Sequence, residues 1–142
     1  MKKIIAVFLC ILTCFSIVTT VYANEIKPYS NNVSTTNTTF SISSSGLATV
    51  RNTYAGITGT TKSAKIVTKV QKKVGIIWIT VSGGSWTDTT NATNFSKSHS
   101  VQLSSKGTYR AHVEFTISGT GGKDDEITKN VQKIYSWNNL VI

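Results

Sequence analysis

The chain has 142 residues, 39% hydrophobic, 9% aromatic and only 15% charged, with 15 Lys and Arg against 6 Asp and Glu and a formal net charge of +9. That length predicts one domain after any leader. No block of like charge is present, which excludes a charged disordered tail, and no apolar stretch outside the N-terminus approaches the roughly 18 residues of a membrane helix.

Residues 1–23 carry the physical pattern of a cleaved signal peptide. Met1-Lys2-Lys3 is a short basic start, 4–21 is apolar apart from small hydroxyl residues, and Val21-Tyr22-Ala23 offers a cut before Asn24. Cys10 and Cys14 both fall inside this leader, and neither has the small preceding residue and the end of the apolar stretch that a lipid-anchoring cysteine requires. The exported chain therefore has no cysteine, although small secreted domains often rely on disulfides. Its fold has to rest on burial alone. Without Lys2 and Lys3 it keeps 13 Lys and Arg against 6 acids, a net charge of +7.

Past Asn24 the composition shifts: Ser and Thr make up 35 of 119 residues. Thr, Val, Ile and aromatics suit a pleated surface, Ser, Gly and Asn suit turns, and no apolar stripe of helical period appears. Residues 24–37, with the only proline, Pro28, predict a flexible lead-in, and 38–142 the folded domain. Phe40 and Ile42 alternate with hydroxyl residues, a turn follows at 44–46, and 47–54 puts Ala48, Val50 and Tyr54 on one face. After a break at 56–59, residues 63–73 alternate Ile66, Thr68 and Val70 with lysines. A hairpin connection at 72–75 leads into 76–82, the densest apolar run, which carries Trp78 and ends at Gly83-Gly84. Residues 86–94 predict a polar linker or irregular edge. Strands follow at 95–103 (Phe95, His99, Val101, Leu103), at 109–117 (Tyr109, Ala111, Val113, Phe115, Ile117) and at 126–137. Seven strands at this turn spacing predict an all-β antiparallel sandwich, with a small barrel as the alternative.

The corner Gly107-Thr108-Tyr109-Arg110-Ala111 resembles that of immunoglobulin-like sandwiches, in which a tyrosine enters strand F two residues before a core cysteine. Tyr109 stands in that slot as a structural corner, Ala111 replaces the cysteine, and Trp78 resembles the core tryptophan of strand C. The wider layout resembles small, functionally uncharacterised secreted proteins of Gram-positive bacteria. It rests on the leader, the Ser-Ile-Ser-Ser-Ser-Gly turn at 41–46, the Lys69-Val70-Gln71-Lys72-Lys73 strand before Trp78, and the 104–110 corner. The resemblance implies an immunoglobulin-like fold and an extracellular location, and no reaction.

Catalytic sets are sparse. His99 and His112 read as surface histidines on strands, and His112 with Glu114 makes only half of a metal site, which takes three or four ligands. Gly83-Gly84-Ser85-Trp86-Thr87 does not fit a nucleophile elbow. Asp88 and Glu114 are too few to stand as a glycosidase pair. Asp124-Asp125-Glu126 lacks the ligand spacing of a calcium loop and reads as a solvated hairpin. The four Asn-x-Ser/Thr triplets, at Asn32, Asn37, Asn91 and Asn94, are expected by chance in this composition. No catalytic residue, metal or cofactor is expected.

What remains is a secreted, monomeric, non-catalytic binding module. Lys65, Lys69, Lys72 and Lys73 would attract an anionic cell-wall polymer or glycan, and Trp86 or Trp137 would stack on it. The scattered lysines lack the one-sided clustering of a nucleic-acid footprint, so no specific nucleic-acid ligand is expected. The alternative is a bacteriocin-like antagonist acting on membranes.

Overall fold

The computed structural model describes residues 30–136. The expected leader at 1–23, residues 24–29 of the expected lead-in and Trp137 lie outside the described residues. The described chain is all-β, with no helix and seven strands: β1 (Val33–Ile42), β2 (Leu47–Gly56), β3 (Thr61–Val74), β4 (Ile77–Thr90), β5 (Asn94–Gln102), β6 (Gly107–Gly119) and β7 (Asp125–Tyr135). All pairings are antiparallel and fall into two sheets, β1-β2-β5 and β4-β3-β6-β7. The layers meet face to face as in a β-sandwich, β1 lying against β7 along one side and β4 against β5 along the other.

The core is built by period-2 alternation, which sends every second side chain to the same face. On β6 the inward set is Tyr109, Ala111, Val113, Phe115 and Ile117, all buried, as the alternation at 109–117 predicts. Ala64, Ile66 and Val70 of β3 flank it in the same sheet, and Phe40, Ala48, Val50 and Tyr54 oppose it from the other. Each large apolar side chain so buried is worth about 1.5–3 kcal/mol, and no cysteine lies among the described residues.

Tyr109 ends this row at the β5–β6 corner, where its hydroxyl donates a 2.6 Å hydrogen bond to the Ser105 carbonyl oxygen. Ser105 is exposed, so water can replace the hydroxyl once it is removed. Tyr109→Phe is expected to cost about 1 kcal/mol, read as a lower urea midpoint at unchanged m; an unchanged midpoint would deny the corner a structural role.

Several elements depart from the sequence expectation. β1 begins at Val33, so 33–37 belong to the strand and not to the lead-in. The cause lies far off in sequence: the Asp125 carboxylate accepts the backbone N–H groups of Asn31, Asn32 and Val33 and fixes the chain at the head of the strand. Asp125 is accordingly buried, and the Asp124-Asp125-Glu126 stretch is not a fully solvated hairpin. β4 does not end at Gly83-Gly84 but continues to Thr90. Between Lys69 and Gln71 its register moves from Ser85 to Thr80, so 81–84 bulge out of the ladder; Gly83 takes up the bend at φ +73°. β7 stops at Tyr135, short of Trp137.

Trp78 is the clearest correction. It lies on β4, outside the buried cluster, with the Arg110 guanidinium 4.5 Å from its ring centre. β3, the strand after β2, carries no tryptophan.

Candidate functional site

The densest apolar run past Asn24, at 76–82, is largely exposed. The β3–β4 hairpin closes through the two-residue loop Gly75-Ile76, with Gly75 at φ +62°, which suits the glycine-first preference of a type II′ turn. That geometry leaves Ile76 at the tip, 95% exposed. β3 pairs with β6 only as far as Lys72↔Tyr109 but with β4 as far as Val74↔Ile77, so the hairpin continues past its pairing with β6, while β6 itself runs on to Gly107 paired with β7. The inward alternation continues through Val74, Ile77 and Ile79, yet among the described residues no facing layer covers them, and each stays about half exposed. A groove of about 290 Å³ separates this overhang from the β5–β6 corner, lined by Lys72, Val74, Ile79, Val81, Leu103 and Tyr109.

Cations gather at this end of the sandwich. Lys72 Nζ donates a 2.7 Å hydrogen bond to Ser105 Oγ at the mouth of the groove, and Lys73 is exposed on the opposite side of the strand. Lys106 lies over the Tyr135 ring, 3.4 Å from its centre. Arg110, held by a 2.7 Å bond from its Nε to Gln71 Oε1, covers one face of Trp78, and Lys133 is exposed on β7. No acid of the described residues shares this end. Asp88 and Glu114 pair with Ile66 and Val67 farther along the ladders, and Asp124, Asp125 and Glu126 lie at the opposite end.

The lysines predicted as one strand face are therefore divided. Lys65 and Lys69 share the outer face of their sheet with Val67, while Lys72 sits on the groove side and Lys73 faces outward beside the tip. The structure unites Lys72 and Lys73 with Lys106, Arg110 and Lys133, which sequence reasoning did not single out. Their common feature is proximity to turns at one end, which strand topology alone reveals.

Trp86 faces inward, packs against the core and stacks on His99 with ring centres 4.8 Å apart and planes 10° from parallel. Trp137 lies outside the described residues. His112 bonds Asn130 Oδ1 at 2.8 Å and Glu114 Oε1 at 3.2 Å. Among the described residues no group of three or more His, Cys, Asp or Glu stands close enough to share a metal ion.

His99 is not a surface histidine. With Lys97 it projects from β5 toward β4, where Asp88 is buried: Lys97 Nζ reaches Asp88 Oδ1 at 2.5 Å and His99 Nε2 reaches Oδ2 at 2.6 Å. Burial works to raise the Asp88 carboxyl, but the hydrogen bonds and charges of Lys97 and His99 outweigh it and hold the group below the usual carboxylate range. A folded-state pKa below the unfolded one adds stability that is present above the unfolded value, near 3.9, and is lost as pH falls through the folded value. Stability is thus expected to fall more steeply below about pH 4 in the native chain than in Asp88→Asn, and the substitution costs about 1–2 kcal/mol at neutral pH. Urea titrations from pH 7 down to about pH 2 test this; parallel acid limbs would remove Asp88 from the account.

In comparisons with known proteins, no family model, no curated protein and no solved structure matches the chain.

Proposed function

We propose that the chain is an exported, immunoglobulin-like β-sandwich serving as a non-catalytic binding module of the bacterial exterior, attracted to anionic polymers through its basic hairpin end. Strand order supports the fold assignment. Lettered A, B, C, C′, E, F, G along the chain, the strands form one sheet A-B-E and another C′-C-F-G, with Tyr109 at the corner entering F. The missing cysteine pair and the absence of tryptophan from β3 set it apart from antibody-type domains. The leader pattern at 1–23 supports export.

The observation that carries the functional reading is the unopposed positive charge of one end. Lys72, Lys73, Lys106, Arg110 and Lys133 gather at one end, and the acids of the described residues lie elsewhere. A cluster of one sign attracts the opposite charge over about a Debye length. Retention is expected on an immobilised polyanion such as heparin or polyphosphate at about 20 mM salt, with release by about 500 mM. Lys73→Gln with Lys133→Gln, both exposed, lowers the salt needed for release more than Lys65→Gln with Lys69→Gln. Flow-through at low salt, or a larger loss from the Lys65 and Lys69 pair, would overturn the reading.

A second reading, an antagonist acting on membranes, is favoured by one specific observation: the bare Ile76 tip within that same basic end.

A further inference from the structure

We infer that the β3–β4 hairpin docks the protein on an anionic lipid bilayer, with Ile76 and Ile77 entering the interface and Lys72 and Lys73 meeting lipid phosphates. The inference rests on the reading of this end as the binding end and names its partner.

Hairpin loops of two residues favour Asn, Asp and Gly, yet this one presents isoleucine at its outermost position and a second isoleucine immediately after it, 55% exposed. Exposed apolar surface gathered in one place signals an interaction site. Val74 and Ile79 extend the apolar surface down the hairpin toward the groove. The tip stands one to two residues past the level of the last β6–β7 pair, Gly107↔Tyr135, which at about 3.3 Å per residue is about 3–7 Å, of the same order as the roughly 5–10 Å to which interfacial elements sink into a bilayer.

Charge selects the lipid. The isoleucines are flanked by Lys72 and Lys73, with Lys106, Arg110 and Lys133 farther back and no Asp or Glu among the described residues of this end. Apolar groups at the point with cations behind them match the layering of a bilayer, whose acyl chains lie beneath anionic headgroups. A soluble polyanion satisfies the lysines but offers the isoleucines nothing.

The test is co-sedimentation of the exported chain with vesicles of phosphatidylcholine and phosphatidylglycerol, beside vesicles of phosphatidylcholine alone. Partition onto the anionic vesicles is expected to exceed that onto the neutral ones by about 10-fold. Ile76→Ser with Ile77→Ser reduces it by about 10-fold or more. Ile57→Ser, an exposed isoleucine in the turn after β2 at the opposite end, leaves it unchanged. Equal partition onto both vesicle types, or anionic partition that survives the double substitution, overturns the bilayer inference. Retention of that double variant on the polyanion resin would leave the broader reading standing. Loss of resin retention with vesicle binding intact would overturn the polymer reading alone. A dimer in sedimentation velocity that the double substitution converts to monomer, without vesicle binding, would assign the tip to a second copy of this chain and overturn the inference.

Discussion

Asp125→Ala is expected to destabilise the protein by about 3–5 kcal/mol, enough to remove much of the roughly 5–15 kcal/mol that holds a domain together. The carboxylate sits at the head of β7 and accepts three backbone donors from the approach to β1: Asn31 N–H at 2.8 Å on Oδ1, Asn32 N–H at 2.7 Å and Val33 N–H at 3.0 Å on Oδ2. Asn32 and Val33 are buried, so water cannot take over their donors without opening the junction. The substitution also loosens what Asn32 organises. Its Nδ2 donates to the Lys123 carbonyl at 2.9 Å, its Oδ1 accepts from Gly121 N–H at 3.0 Å, and its own carbonyl accepts from Thr61 Oγ1 at 2.5 Å. Gly121 belongs to the same junction, since a Cβ there would collide with the Asn31 carbonyl oxygen. The expected signature is a lower urea midpoint and faster hydrogen exchange at the Asn32 and Val33 amides. Asp125→Asn, which keeps one acceptor oxygen, falls between wild type and alanine and serves if the alanine variant does not fold. A loss below about 1 kcal/mol for alanine would show that the junction is held by packing instead.

The legible part of this fold was whatever local periodicity encodes. Tyr109 to Ile117 alternate so regularly that one face of β6 followed from the sequence, and the Gly-containing turns placed most strand ends. Burial of the next apolar run did not follow. Ile76, Ile77 and Ile79 look like core because they are dense and β-branched, but burial needs an opposing layer, and whether one exists depends on where neighbouring strands stop. Long-range polar contacts were equally opaque. Asp125 holds residues more than ninety positions away, and Asp88 meets His99 across the gap between two edge strands, although β4 was expected to have ended before Asp88. Of the four lysines expected to bind, Lys72 and Lys73 fell at the basic end, whereas Lys65 and Lys69 went to the outer face farther up the sheet. The basic end is assembled from turns distant in sequence, which strand-by-strand reading cannot bring together.

One position on the inner face interrupts the alternation of β2 with a polar residue, and the second large effect is expected there. Asn52, buried between Val50 and Tyr54 on the inward side, accepts a 2.9 Å bond from Thr38 Oγ1 of the adjacent strand and donates 2.7 Å to Thr68 Oγ1 of the opposite sheet. The three side chains form a polar bridge through the sandwich, and all are buried. Asn52→Ala deletes the acceptor of one hydroxyl and the donor to another and leaves a void, at an expected cost of about 3–4 kcal/mol. Replacing the whole bridge should behave differently. With Thr38→Val, Asn52→Leu and Thr68→Val no polar group is left unpaired, and stability is expected to return to within about 1 kcal/mol of wild type. Urea midpoints of the single and triple variants decide the matter. Recovery would mean that the penalty of Asn52→Ala comes chiefly from orphaned groups and that the bridge itself adds little net stability. A triple variant no better than the single one would mean that the cross-sheet hydrogen bonds are themselves strongly stabilising, or that the inner faces cannot repack around the added leucine, and measuring Thr38→Val with Thr68→Val alone separates those two causes.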